Sequence, residues 1–155
     1  MRIRKKTLLY EISNLAYVIA DTGEHQRHIL HRVRDICEEG NIDRVNRVLA
    51  LAFSKVATVI RPVASSQLDE DFHIHFRHDT EMRYVLTSEK KMNIKETVNE
   101  YLVCMVLADW LGITLPEAAD VWIFRAERCL DALGGMVTSL ISGGSCAFSR
   151  HVSPI

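Results

Sequence analysis

The chain has 155 residues, 48% of them apolar and 25% charged, with 7 Gly and 3 Pro, a balance that excludes disordered and collagen-like chains. A chain of this length buries about 70% of the surface its unfolded form exposes, so one domain around one core is expected. The net charge of −1 hides a polarity, because residues 1–61 hold 11 Lys/Arg against 7 Asp/Glu (+4) and residues 62–155 hold 8 against 13 (−5).

The chain opens on Arg2, Arg4, Lys5 and Lys6, a basic tip suited to a phosphate backbone or simply to water. Glu11, Ser13 and Asn14 come next with no small-residue cleavage pattern, so a secretory signal is not expected. Leu8, Ile12, Leu15 and Ile19 recur at three- and four-residue spacing and predict a helix over about 5–21. Thr22-Gly23 breaks it. A second helix is expected from about Glu24 to Glu39, with Ile29, Val33 and Ile36 inward and Gly40 as its stop. Asn41 then reads as an N-cap and Asp43 suits a first turn. The third helix carries Ile42, Val45, Leu49, Ala52, Phe53, Val56 and Ile60 inward and ends at Arg61-Pro62.

From Val63 to Asn93 the pattern changes. Ser65-Ser66 and the acidic cluster Asp69, Glu70 and Asp71 read as a loop. The run Phe72-His73-Ile74-His75-Phe76-Arg77 alternates with period two, which predicts a strand with Phe72, Ile74 and Phe76 on the core side. Met82 to Thr87 is its expected hairpin partner across His78 to Glu81. A lone ribbon is marginal in water, so this one must lie on the helices or on another subunit.

Helical period returns at Asn93, a plausible cap, with Ile94, Val98, Tyr101, Leu102 and Met105 on one face. From Tyr101 to Leu111 the only charge is Asp109, as in a helix covered on more than one side. Gly112 reads as its end and Thr114-Leu115-Pro116-Glu117 as a capping box. The last helix carries Ala118, Trp122, Ala126, Cys129, Leu133, Val137 and Leu140 inward, with an end or kink at Gly134-Gly135. The fold class expected is mainly α: a helical bundle of about five helices with a small β-hairpin insertion at about 72–87. Residues 1–141 form a single helical domain and 142–155 a flexible C-terminal tail.

No constellation carries catalysis. The glycines form neither a dinucleotide fingerprint nor a phosphate loop, and no nucleophile elbow is present. Cys37, Cys104, Cys129 and Cys146 are dispersed, as buried reduced thiols made in a cytosol are. Adjacent acids such as Glu38-Glu39 point apart on a helix. His73 and His75 share a strand face with His78 and Asp79 just beyond; two imidazoles at i and i+2 hold a metal only when a further ligand converges. His25, His28 and His31 rotate by about 60° per step of three and cannot all meet one ion. Interleaved with Arg27, Arg32 and Arg34, they make a basic surface fit for solvent or for an acidic or phosphate partner. Trp122 reads as core, whereas Trp110, beside Asp109, is a candidate subunit contact. The longest apolar run, Tyr101 to Ala108, is far short of the roughly 20 residues a membrane span needs.

At residues 94–141 a very apolar helix ending in EYLVCMVLADWLGI, a T-L-P-E turn and a helix opening AADVWIFRAERCLDAL resemble the C-terminal part of head-to-tail connector proteins of tailed bacteriophages and prophages, also called neck, adaptor or ring proteins. NIDRVNRVLALAFSKVATVIRPV followed by FHIHF is similar to the helix-then-ribbon arrangement such proteins place before it. The resemblance spans about two thirds of the chain and includes no diagnostic motif; the basic second helix and glycine-rich tail have no counterpart. It implies a non-enzymatic structural protein of the virion, made in the bacterial cytoplasm. Its copies would form a ring between portal and tail components around the DNA channel, with no cofactor and with non-specific contact to the DNA backbone. The candidate interface residues are Arg2, Arg4, Lys5, Lys6, Arg27, Arg32, Arg34, Phe72, His73, His75 and Trp110. Two other classes compete: a helical nucleic-acid-binding regulator working through the basic helix face, and a small metal-dependent enzyme working through His73, His75 and His78.

Overall fold

A computed structural model of the chain describes residues 1–22, 27–77 and 86–145, with side chains placed in 1–22, 30–77 and 86–142. The element order is β1 (Arg2–Ile3), α1 (Lys5–Thr22), α2 (Arg27–Arg34) with a 3-10 turn at Asp35–Cys37, α3 (Ile42–Ile60), β2 (Ala64–Leu68), β3 (Phe72–Phe76), α4 (Ser88–Thr114) and α5 (Pro116–Ser145). Five α-helices and a small antiparallel sheet among the described residues make the protein mainly α.

α4 is the axis of the bundle. Eleven of its residues are buried, among them Leu102, Val103, Cys104, Val106 and Leu107 in sequence neighbourhood. Residues so close in sequence point around the helix, so neighbours must cover it on several sides; α1, α3 and α5 do so. Asp109, the one charge in that stretch, points outward and receives two hydrogen bonds from Arg44 of α3, at 2.7 and 3.0 Å. The pair is partly exposed, so its contribution is about 0.5–1 kcal/mol. α3 buries Val45, Val48, Leu49, Ala52, Phe53, Val56 and Ile60, a stripe at helical spacing. α1 buries Leu8, Ile12, Ala16 and Ala20, with Leu15 and Ile19 at the margin of the core.

Several local expectations are corrected. α2 ends at Arg34, and the backbone turns through Glu38, whose carbonyl accepts from Asn41 N (2.8 Å) and Ile42 N (3.0 Å). Gly40 is therefore not the helix stop, and no described glycine has a positive φ. Asn41 precedes α3 but its side chain does not cap it; Asn41 Nδ2 donates instead to the Asp35 carbonyl at 2.8 Å. α4 begins five residues before Asn93, and Thr87 caps it by accepting from Lys90 N at 3.2 Å. The helix continues through Gly112, and Thr114 Oγ1 donates back to the Trp110 carbonyl at 2.9 Å, so no capping box forms. Pro116 starts α5 at the position where its missing N–H costs nothing. Gly134 and Gly135 lie inside α5, which runs to Ser145, so the helix occupies the start of the expected tail.

The sheet has strand order β1-β3-β2. β3 forms as its alternation predicts, with Phe72 and Ile74 fully buried. Its hairpin partner is the segment read as a loop: Ala64 pairs with Phe76, Ser66 with Ile74 and Leu68 with Phe72. β1 covers the other edge, with Arg2 opposite His73 and Ile3 opposite Phe72. The ribbon thus spans 64–76 rather than 72–87; residues 82–85 of the expected partner lie outside the described residues. The sheet closes one end of the bundle, where the Phe72 and Phe53 rings meet at 4.8 Å between centroids.

Candidate functional site

The basic N-terminal segment is a built part of the fold rather than a loose tip. Met1 N donates to the Ile74 carbonyl at 2.6 Å, and Ile74 N to the Met1 carbonyl at 2.9 Å. Asp71, from the turn between β2 and β3, anchors both Arg2 and the start of α1. Its Oδ1 accepts from Lys5 N at 2.8 Å and its Oδ2 from Arg2 Nε at 2.7 Å. Lys5 is the first residue of α1, so Asp71 satisfies one of that helix's orphan amides and places a negative charge at its positive end. The Lys5 amide first, and then the Arg2 guanidinium, hold the Asp71 carboxyl below the usual carboxylate range.

This anchoring fixes a polar outer face on the sheet. Arg2 lies opposite His73, which lies opposite Gln67; His75 lies opposite Ser65. The His73 and His75 rings are stacked nearly parallel, 6.1 Å apart. Arg4 and Lys6 are exposed, whereas Lys5 is half-buried, with its ammonium 6.0 Å from the centre of the Phe72 ring. Among the described residues, no three His, Cys, Asp or Glu side chains converge as a metal site. His25, His78 and Asp79 lie outside the described residues, as does the side chain of His28.

The basic face expected on α2 is only partly available. Arg32 is exposed, but Arg34 lies over the Tyr17 ring at 4.5 Å and 3.5 Å from Asp21. His31 is 3.4 Å from Asp35. The Arg27 side chain lies outside the described residues.

Two of the eleven candidates are core residues. Phe72 is inaccessible to solvent. Trp110 is buried and its indole Nε1 donates to the Val33 carbonyl at 3.0 Å, pinning α4 to α2. That bond explains why an indole sits beside a surface carboxylate: the ring turns inward while Asp109 turns out to Arg44.

Exposed apolar side chains instead gather on α5, where Val121 is 61%, Ile123 44% and Phe124 60% exposed. The signal is present in Val121-Trp122-Ile123-Phe124, since four consecutive apolar residues on a helix cannot all reach one core. Trp122 takes the inner place, with the Arg125 guanidinium over it at 4.9 Å. A second exposed set, Tyr10 (70%), Tyr17 and Val18, lies on α1.

A depression of about 520 Å³ runs between α4 and α5 past Glu100, Arg125, Arg128 and Cys129. Glu100 and Arg125 are paired at 2.6 Å, and burial pushes the Cys129 thiol up, which leaves it protonated and a poor nucleophile. Of the charges along this groove, Glu100 and Arg125 are paired with each other, and the Arg128 guanidinium lies 5.9 Å from the centre of the Phe124 ring. No helix among the described residues is long and apolar enough to cross a membrane. Comparison with protein-family models, curated proteins and solved structures finds no match.

Proposed function

We propose that the protein is a non-enzymatic assembly subunit of a tailed-phage particle, a connector whose copies form a ring between portal and tail around the DNA channel. The observation that carries this reading is the uncovered apolar set Val121, Ile123 and Phe124 near the start of α5. An isolated exposed leucine needs no explanation, but three large apolar side chains within four residues call for a partner surface. The chain order supports the resemblance to connectors: α3, then the β2–β3 ribbon, then the long α4–α5 hairpin.

The partner for the α5 set is a second copy, whose α1 offers Tyr10, Tyr17 and Val18. Two different patches meeting head to tail repeat without limit unless the rotation closes, and closure makes a ring. Electron microscopy of the purified protein tests this. Closed particles with a central opening wide enough for duplex DNA are the expected result; a uniform field of single-subunit particles at high protein concentration contradicts it.

A further inference from the structure

Beyond that reading, and at a different surface, two depressions lie side by side where the sheet meets the N-terminal half of α4. One, of about 460 Å³, lies between the Met1–Ile74 edge of the sheet and Lys91 and Lys95, with His75 at its rim. The other, of about 370 Å³, lies between Arg2, Arg4, Lys95 and Asn99. Lys95 lines both, so the two depressions adjoin at that side chain. No carboxylate lines either depression among the described residues. In a chain of net charge −1, that concentration of one sign is not the average surface.

Three features give the groove the character of an anion site. Lys91 and Lys95 stand one turn apart on α4, a like-charge i, i+4 pair that costs the helix a few tenths of a kcal/mol unless a counter-charge sits between them. Within the described chain, Arg4, Lys91 and Lys95 form no ion pair. At the inner end, Asn99 Oδ1 is buried and has no hydrogen-bond partner. With that oxygen turned inward, the amide N–H groups are the part of the side chain left to meet a ligand oxygen. Glu96 and Glu100, on neighbouring turns of α4, line two other depressions, one of which also includes Glu11 and Asn99, so the basic path ends at Asn99, where an acidic depression begins.

We propose that this groove binds the phosphates of a nucleic-acid strand. Lys91, Lys95 and Asn99 advance by about 6 Å per step along α4, so successive donors line a path suited to a repeating anion rather than one pocket for a single ion. Arg4 extends the path, and Arg2, already held by Asp71, contributes field rather than a free donor. The contact reads no sequence, because every donor faces backbone oxygens.

Fluorescence anisotropy with a labelled oligothymidylate of about 20 nucleotides, titrated from about 50 to about 200 mM salt, tests the proposal. The expected result is salt-sensitive binding that weakens about tenfold or more in the double variant Lys91→Ala/Lys95→Ala, with the slope of log K against log salt reduced by about 1.4. Arg47→Ala/Lys55→Ala, an equal charge change on exposed α3 positions, is expected to change affinity less than twofold; circular dichroism confirms that both variants fold. Absence of binding at the lowest salt overturns the proposal. So does equal weakening by the two double variants, or equally tight binding of polyglutamate with the same loss on Lys91→Ala/Lys95→Ala. A monomer that binds the strand in this way keeps the inference and contradicts the ring; a ring that does not bind it does the reverse.

Discussion

Single residues at this protein's surfaces are explained by what they hold together. Asp71 ties three parts of the chain, since β3's turn, β1's Arg2 and the first amide of α1 meet on one carboxylate. Its folded pKa is depressed. The stability it contributes is therefore fully present above its unfolded value, near pH 3.9, and is lost as pH falls through the lower folded value. Urea denaturation of Asp71→Asn across this acidic range is expected to show lower stability than the parent at neutral pH and a shallower fall on acidification. Trp110→Phe keeps an aromatic ring but removes the donor to the Val33 carbonyl and part of the buried volume; it is expected to cost at least about 1–2 kcal/mol in the same assay, because a buried acceptor loses its partner and a void is left. Burial pushes the Cys104 thiol up to about 12. Iodoacetamide at about pH 8 is thus expected to leave Cys104 unmodified in the native protein and to label it fully in denaturant, as peptide mapping would show.

At the scale of elements, what is legible in the sequence is what short-range pattern controls. α3 and the buried half of α4 follow from apolar spacing, and β3 from its alternation. β2 is not legible because Ala-Ser-Ser-Gln-Leu has turn-like composition; it is a strand because β3 offers it a hydrogen-bonding edge, which propensity does not encode. β1 has only two residues, and the cap of α1 comes from Asp71, more than sixty residues away, so no local cap signal exists. Ser88 to Met92 join α4 without an apolar signal, because that turn lies outside the stripe and is held by the Thr87 cap. The inward turn of Trp110 depends on the Val33 carbonyl, also far away in sequence, whereas the α5 apolar set is readable from four consecutive apolar letters. At Gly134-Gly135 packing overrides the tendency to break the helix. A methyl built on either would meet nothing within 4 Å, so neither glycine is there to make room. Gly135→Ala is accordingly expected to stabilise the protein by about 0.5–1 kcal/mol, through helix propensity and a less flexible unfolded chain, as a higher urea midpoint would report.

For the whole molecule, the bundle divides its surface by chemistry. The sheet end presents Arg2, Arg4, Lys91 and Lys95, and the start of α5 presents Val121, Ile123 and Phe124. The proposed ring subunit would need such separation, because one surface would meet its neighbours while another faced what passes through or beside the ring. A stable contact between copies buries about 1,200–2,000 Å² in total and places aromatic anchors at its centre, the role the proposal gives to the exposed Phe124 and Tyr10. The most direct measurement is the native mass by light scattering across protein concentration, for the parent and for Phe124→Glu, with circular dichroism to confirm that both fold. The parent is expected to form a discrete oligomer of several copies, and the charge at position 124 to reduce it to the 17.7 kDa monomer. A parent that stays monomeric at high concentration, or an oligomer that Phe124→Glu leaves intact, would contradict assembly through this face.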